Sequence, residues 1–252
     1  MADAKAALVT GSATGIGRAT ALALAHRGYG VVVNYTRSEN EARQTARDVE
    51  TAGGAALLHR ADVADDVAVR AMVQAAVERF GRLDVLVNCA GTTIPTPPHD
   101  LDGLNLADWD RVFAVNVRGT FSAIRAAAPH LRKTNGVVIN LASVVGLRPG
   151  PQPVPYSASK AAIINITRTL AGVLGPQVRI NAVAPGWMEG RWMEKALGDN
   201  YSDLMQRRAK RTPLQRVATP QDVADTIVSL IESNPFVTGE TVVIDGGYTS
   251  TT

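Results

Sequence analysis

Short apolar runs rich in β-branched residues recur along the whole chain, at 6–10, 30–34, 55–59, 85–88, 137–141, 179–183 and 241–244. Most are continuous rather than alternating, the pattern of strands covered on both faces. Between them lie stretches with helical periodicity, roughly 16–27, 40–52, 67–80, 109–131, 156–174 and 221–231. Ala64-Asp65-Asp66 and Thr219-Pro220-Gln221-Asp222 carry the polar-cap and proline signals of helix starts. Strand–helix alternation from end to end predicts βαβ units and an α/β class, a doubly wound sheet with helices on both faces. No internal repeat or low-complexity linker interrupts it, so residues 1–252 read as one domain.

Composition narrows the class without naming a function. A hydrophobic content of 46% with 19% charged residues excludes a mostly disordered chain. The single cysteine, Cys89, cannot close an intramolecular disulfide, which excludes a disulfide-stapled scaffold. The net charge of +3 is spread along the chain, with no basic block interleaved with aromatics, so no nucleic-acid partner is expected. The densest basic patch, Arg207, Arg208, Lys210 and Arg211, reads as a solvated helix face. No run of about 18 apolar residues is present, and the first residues lack a signal peptide's apolar core. The expectation is a soluble, cytoplasmic protein with no membrane partner.

One segment breaks the alternation. Residues 187 to about 218 place Trp187, Met188, Trp192, Met193, Tyr201, Leu204 and Met205 among charged residues, with no strand pattern. An insertion after a strand's carboxyl end, where open sheets bind ligands, suits a substrate lid; a packed surface helix pair or an oligomer contact is the plainer reading.

The first chemical motif is Thr10-Gly11-Ser12-Ala13-Thr14-Gly15-Ile16-Gly17, directly after the first strand and opening the first helix. Its glycines permit a tight turn and close backbone approach, and the helix start offers free N–H groups to a pyrophosphate. The cofactor-binding candidates here are Gly11, Ser12, Thr14, Gly15, Ile16 and Gly17. A pocket for NAD usually places Asp or Glu about twenty residues past the glycines. Here the second strand ends Asn34-Tyr35-Thr36-Arg37-Ser38, with no carboxylate. Arg37, with hydroxyl donors at Thr36 and Ser38, suits a 2′-phosphate instead, because a guanidinium pairs with phosphate oxygens, so NADP(H) is favoured over NAD(H), with Tyr35, Arg37 and Ser38 as cofactor-binding candidates. Asp62-Val63 follows the third strand, where a carboxylate can accept from an adenine amino group. Asn88-Cys89-Ala90-Gly91 closes the fourth, and the small Ala90 and Gly91 let a cofactor lie against the backbone. Cys89 reads as a small buried hydrophobe, since no basic partner is near it in sequence.

The decisive constellation is Ser143, Tyr156 and Lys160. Tyr156-Ser157-Ala158-Ser159-Lys160 opens a helical pattern, so Tyr156 and Lys160 share one face. A free tyrosine has a pKa near 10; an ammonium one turn away, with an oxidised nicotinamide, would lower it and make the phenol a usable acid or base. Ser143 follows the fifth strand and can hold the substrate oxygen. The histidines, His26, His59, His99 and His130, are scattered without metal-ligand spacing, so no metal is expected.

With these residues in their order and spacing, the chain resembles the short-chain dehydrogenase/reductase family over essentially its full length. Asn116, Pro185-Gly186, Val237-Thr238-Gly239-Glu240 and Asp245-Gly246-Gly247 extend the resemblance. It implies a single Rossmann domain with a seven-stranded parallel sheet, usually a homotetramer. It also implies a catalytic tetrad of Asn116, Ser143, Tyr156 and Lys160, with Asn116 anchoring a water relay and Lys160 holding the nicotinamide ribose. Pro185 and Gly186 join the cofactor site by the same likeness. Within the family the chain is most similar to the 3-oxoacyl-acyl-carrier-protein reductases, through Asn34–Ser38 and the stretch around Ser143. It departs from them at Cys89, where a second Asn is usual, at Gly190, where a Thr often contacts the carboxamide, and at Gly172, where a basic carrier-docking residue is common. Arg132 and Lys133 remain as candidate docking charges. The expected reaction is hydride transfer between NADP(H) and a small ketone or secondary alcohol, an acyl thioester among the candidates. An NAD-dependent polyol, sugar or steroid dehydrogenase is the rival on the same scaffold. A non-catalytic nucleotide sensor is the rival of another class, disfavoured because all the tetrad positions are filled.

Overall fold

Strands that are apolar on both faces must bury both, and the chain does this with one sheet between two helical layers. The structure is a computed structural model, and it describes residues 4–190, 193–194 and 197–250. The strands are β1 (Ala6–Thr10), β2 (Gly30–Tyr35), β3 (Ala55–Arg60), β4 (Val85–Asn88), β5 (Val137–Leu141), β6 (Arg179–Pro185) and β7 (Thr241–Ile244). They form a seven-stranded sheet in the order β3-β2-β1-β4-β5-β6-β7, each neighbouring pair parallel. The helices are α1 (Gly15–Ala25), α2 (Glu39–Thr51), α3 (Asp66–Phe80), α4 (Leu106–Phe113), α5 (Thr120–Thr134), α6 (Val154–Leu174), α7 (Tyr201–Arg211) and α8 (Pro220–Glu232).

Alternate strand residues feed opposite cores, as the two-residue period requires. Ala7, Val9, Val31, Val33, Val85 and Val87 face the core under α1, α2 and α8. Leu8, Val32, Leu86 and Val138 face the core under α3, α5 and α6. Each fully buried Val or Leu among them contributes about 1.5–3 kcal/mol.

Two features were not legible beforehand. The stretch expected as one helix is α4 and α5 joined through a π-helical turn, Ala114–Gly119. Residues 187–218 hold α7 and are stitched at their base by an isolated parallel bridge between Met188 and Ala218. Trp192 lies outside the described residues. No helix among the described residues is long and apolar enough to cross a membrane.

Candidate active site

The strand order reverses between β1 and β4, the switch point where open sheets leave a crevice at their carboxyl ends. A cavity of about 650 Å³ opens there, reaching from the glycine turn after β1 to Ser143, Tyr156 and Lys160. Gly11 and Gly15 take positive φ values of +62° and +59°, the left-handed region that side chains disfavour. A Cβ on Gly11 would come within 2.8 Å of Ala90 Cα, so only glycine lets the two turns touch. Polar bonds pin the turn. Gly11 N–H donates to Asn34 Oδ1 at 2.9 Å, and the Ser12 hydroxyl donates to Val9 O at 2.7 Å. That hydroxyl also accepts the Asn34 N–H at 2.9 Å. Thr14 gives α1 no side-chain cap, and no acidic residue stands in its first turn. The helix start therefore presents N–H donors and the positive end of its dipole to the cavity, a donor set for an anion.

The far end of the cavity is assembled by close packing. Ser143 lies just past β5, before a 3₁₀ turn at Val144–Gly146. A Cβ on Gly146 would meet the backbone carbon of Lys160 at 2.6 Å, so this glycine lets the Ser143 turn press directly onto α6. Buried polar links fix α6 on the sheet: Asn88 Nδ2 donates to Asn140 Oδ1, Asn140 Nδ2 to Thr167 Oγ1, and Thr167 Oγ1 to Ile163 O, all at 2.8–2.9 Å. Tyr156 is hydrogen-bonded to Ser143 through the side chains. Lys160 Nζ lies 5.4 Å from the Tyr156 ring centroid and donates to Leu141 O at 2.7 Å.

Burial dominates the electrostatics. It pushes the Tyr156 hydroxyl up to about 12, against the Ser143 bond, which lowers it. Desolvation of the phenolate is the larger of the two effects. Burial likewise pulls the Lys160 ammonium down to about 8. Cys89, beside the cavity, is pushed up to about 12 by burial and feels the charge of Lys160. The fold thus supplies the basic neighbour that the linear sequence hides, yet the thiol stays protonated.

Asn116 sits in the π-helical turn, a frequent device at functional sites. Its Oδ1 accepts the Thr92 N–H at 2.8 Å, and its Nδ2 donates to Thr92 O at 3.0 Å and Ser159 Oγ at 2.9 Å. It braces the turn after β4 against α6. Thr92, Ser159, Asn34 and Asn140 are positioning residues to which the sequence reading gave no role.

The remaining candidates divide. Ala90, Gly91, Pro185 and Gly186 line the cavity with Gly11, Thr14, Gly15, Ile16 and Gly17. Ser12, Asn88, Tyr35 and Val63 are buried away from it and shape the turns instead. Arg37 and Ser38 stand exposed at the β2–α2 corner. Asp62 is tied up: Oδ1 accepts the Ala64 N–H at 3.0 Å, and Oδ2 accepts from Arg111 at 3.2 Å. Trp187, Met188, Met193 and the C-terminal Tyr248 and Thr249 form the wall opposite Ser143, and Arg148 donates to Thr249 O. Arg132 and Lys133 close α5 just before β5, at the amino edge of the sheet, so they do not flank this chain's own cavity. Among the described residues no group of three or more His, Cys, Asp or Glu is placed to hold a metal ion.

Fold and site together define an oxidoreductase built on a dinucleotide-type sheet, and the chain belongs to the short-chain dehydrogenase/reductase family. The family model matching residues 11–249 carries the description enoyl-acyl-carrier-protein reductase. Among relatives, the chain is 41% identical over 246 residues to a ketoacyl reductase of a granaticin polyketide synthase from Streptomyces violaceoruber, covering 97% of this chain and 96% of that one. It is 38% identical to the 3-oxoacyl-acyl-carrier-protein reductase of Staphylococcus aureus, covering 96% and 97% of the two chains. Among solved structures, a gluconate 5-dehydrogenase from Burkholderia cenocepacia, in complex with NADP and tartrate, superposes with a TM-score of 0.89. It is 33% identical, with 99% of this chain and 97% of that chain covered.

Proposed function

We propose that this oxidoreductase is an NADP(H)-dependent carbonyl reductase acting on 3-oxoacyl thioesters or similarly apolar ketones. The observation that carries the reading is the bonded Ser143–Tyr156 pair facing a wall of Trp187, Met188 and Met193 in one cavity with the glycine turn. The site fits the cofactor. The uncapped start of α1 suits a pyrophosphate, and nothing but Asn116 Oδ1 at 3.5 Å and Lys160 Nζ at 3.8 Å would meet a Cβ at Gly91, leaving room for a flat ring against the backbone. Arg37 is exposed where a 2′-phosphate would lie, and Glu39 and Asp62 are engaged, by Arg43 and Arg111. Bound there, the cofactor supplies or accepts the hydride.

The chain's own residues do the rest. Ser143 and Tyr156 direct two hydroxyls at one point, which suits a carbonyl oxygen better than a carbon–carbon double bond. The Tyr156 phenol, held protonated by burial, donates its proton to that oxygen. Lys160, with its pKa near 8, is matched to return the proton at neutral pH. Asn116 keeps the Gly91–Thr92 turn and α6 in register around them. Residues 187–218 act as the lid over the apolar half. A polyol would leave unpaired those hydroxyls that meet Trp187, Met188 and Met193, which disfavours the sugar dehydrogenase alternative. By family likeness we further propose a homotetramer.

The test is a substrate panel, acetoacetyl-CoA, cyclic ketones and polyols, with both cofactors and with the Tyr156→Phe variant. Reduction of acetoacetyl-CoA with NADPH, falling by about 10²–10⁴ in kcat in the variant while NADPH binding persists, is expected. Activity confined to polyols with NAD would overturn the reading.

A further inference from the structure

The basic run on α7 is not the uniform solvated face that its sequence suggests. Arg207, Lys210 and Arg211 are exposed, but Arg208 turns inward. Its guanidinium carbon lies 4.5 Å from the Trp187 ring centroid and 5.9 Å from the Tyr248 ring centroid. Its Nη1 donates to the Tyr248 hydroxyl at 2.7 Å, and its Nε is buried with no hydrogen-bond partner. A buried donor without an acceptor is unfavourable, so the placement must be held by what the guanidinium does elsewhere. What it does is join three pieces of chain that are far apart in sequence: the segment after β6, α7 and the C-terminal turn after β7.

Both rings that Arg208 touches line the cavity, and the guanidinium itself does not. The wall's segments have other supports: at Thr249 the hydroxyl donates to Asp245 Oδ2 and the carbonyl accepts from Arg148, and two backbone bonds tie the chain. Ala218 N–H donates to Trp187 O at 3.0 Å, and Leu214 N–H donates to Gly246 O at 3.3 Å. These bonds fix where the segments run, and none of them is made by the Trp187 or Tyr248 ring. A planar cation held against an indole face, with one fork of its donors on a phenol, sets ring orientation as no backbone bond can.

We propose that Arg208 is a specificity-determining positioning residue, a cation–π latch that orients Trp187 and Tyr248 as the wall against the part of the substrate remote from the reacting carbonyl. The inference rests on the carbonyl reductase reading for its kinetic consequence, and on the geometry alone for the latch. The latch makes substrate shape, rather than hydride transfer, depend on Arg208. A small ketone that reaches only Ser143 and Tyr156 is indifferent to it; a bicyclic ketone that rests on the two rings is not.

The experiment compares the wild type with Arg208→Ala, Arg208→Lys and Tyr248→Phe, using ethyl acetoacetate and 2-tetralone with NADPH. For Arg208→Ala, KM for 2-tetralone should rise on the order of 10-fold with kcat for ethyl acetoacetate within about 2-fold. Arg208→Lys, which keeps the charge but loses the planar fork, should fall between. A second readout needs no turnover. Acrylamide quenching attributable to Trp187, taken as the difference from a Trp187→Phe background, should increase in Arg208→Ala. If Arg208→Ala does not fold, the Lys and Tyr248→Phe variants carry the same comparison. Equal losses on both ketones, or unchanged quenching, would overturn the latch. If the wild type reduces neither ketone, the reductase reading fails and the quenching comparison still decides the latch.

Discussion

Lys160→Met is expected to abolish reductase activity and yet leave the fold as stable as the wild type, or more so, near neutral pH. Burial pulls the Lys160 ammonium from 10.5 to about 8, a gap worth about 3 kcal/mol against the charged form in the native state. Methionine removes that penalty but also loses the bond to Leu141 O, about 1–3 kcal/mol for a charged donor. The net at about pH 7 is a gain between about 0 and 2 kcal/mol. The pH dependence is sharper than the absolute value. Unfolded lysine keeps its proton up to about pH 10.5, whereas the native side chain sheds it near 8, so the unfolded state binds more protons in that window and wild-type stability rises with pH. The variant lacks the effect, and its advantage over the wild type should shrink by about 2 kcal/mol between about pH 8 and about pH 9.5. Urea unfolding followed by circular dichroism at both pH values, on both proteins, measures it. A gap that stays constant or widens would show that the lysine is not held in a desolvated site.

Arg37→Ala should weaken NADPH binding by about 10-fold or more and leave NADH binding unchanged, read by nicotinamide fluorescence titration; equal losses would mean the phosphate lies elsewhere. Gly17→Ala should abolish dinucleotide binding or folding, because its Cβ would sit 2.5 Å from Gly11 O; circular dichroism separates the two outcomes. Gly172→Ala, on α6 with open space around it, should raise stability by about 0.5–1 kcal/mol in a thermal scan without changing turnover. Asp222 completes a capping box with Thr219 and is paired by Arg216, which holds its carboxyl far below the usual range. Asp222→Ala should cost about 1–2 kcal/mol at neutral pH. Because that folded pKa is depressed, the gap should persist down to about pH 4 and close only as acid protonates the native carboxylate.

The periodicity of the chain located all seven strands, and the structure extends β2, β3 and β6 by one or two residues. Helix boundaries moved by a few residues, and one expected helix carries a π-helical turn. That turn was invisible because the apolar period runs on through Ala114–Gly119; in the fold Gly119 packs against Val63, whose Cγ2 a Cβ would meet at 2.8 Å. Tyr156 and Lys160 were readable as one face because helical spacing alone joins them. Ser143 and the glycine turn were readable as neighbours because every strand of a parallel sheet delivers its carboxyl end to the same edge.

Proximity across the fold was not readable. Cys89 near Lys160, Asn116 gripping Thr92 and Ser159, and the ladder from Asn88 to Thr167 join residues many positions apart, and no local pattern encodes them. Desolvation belongs here too: burial, a property of the packed molecule, pushes the Tyr156 pKa up. Sequence by itself determined the sheet, its edge and the residue types at that edge, since these follow from short-range periodicity and the chirality of the chain. Tertiary structure alone decided which hydroxyls meet, how their protons are held, and that Arg208 faces two rings rather than water. Those depend on distances between segments that only the closed fold sets.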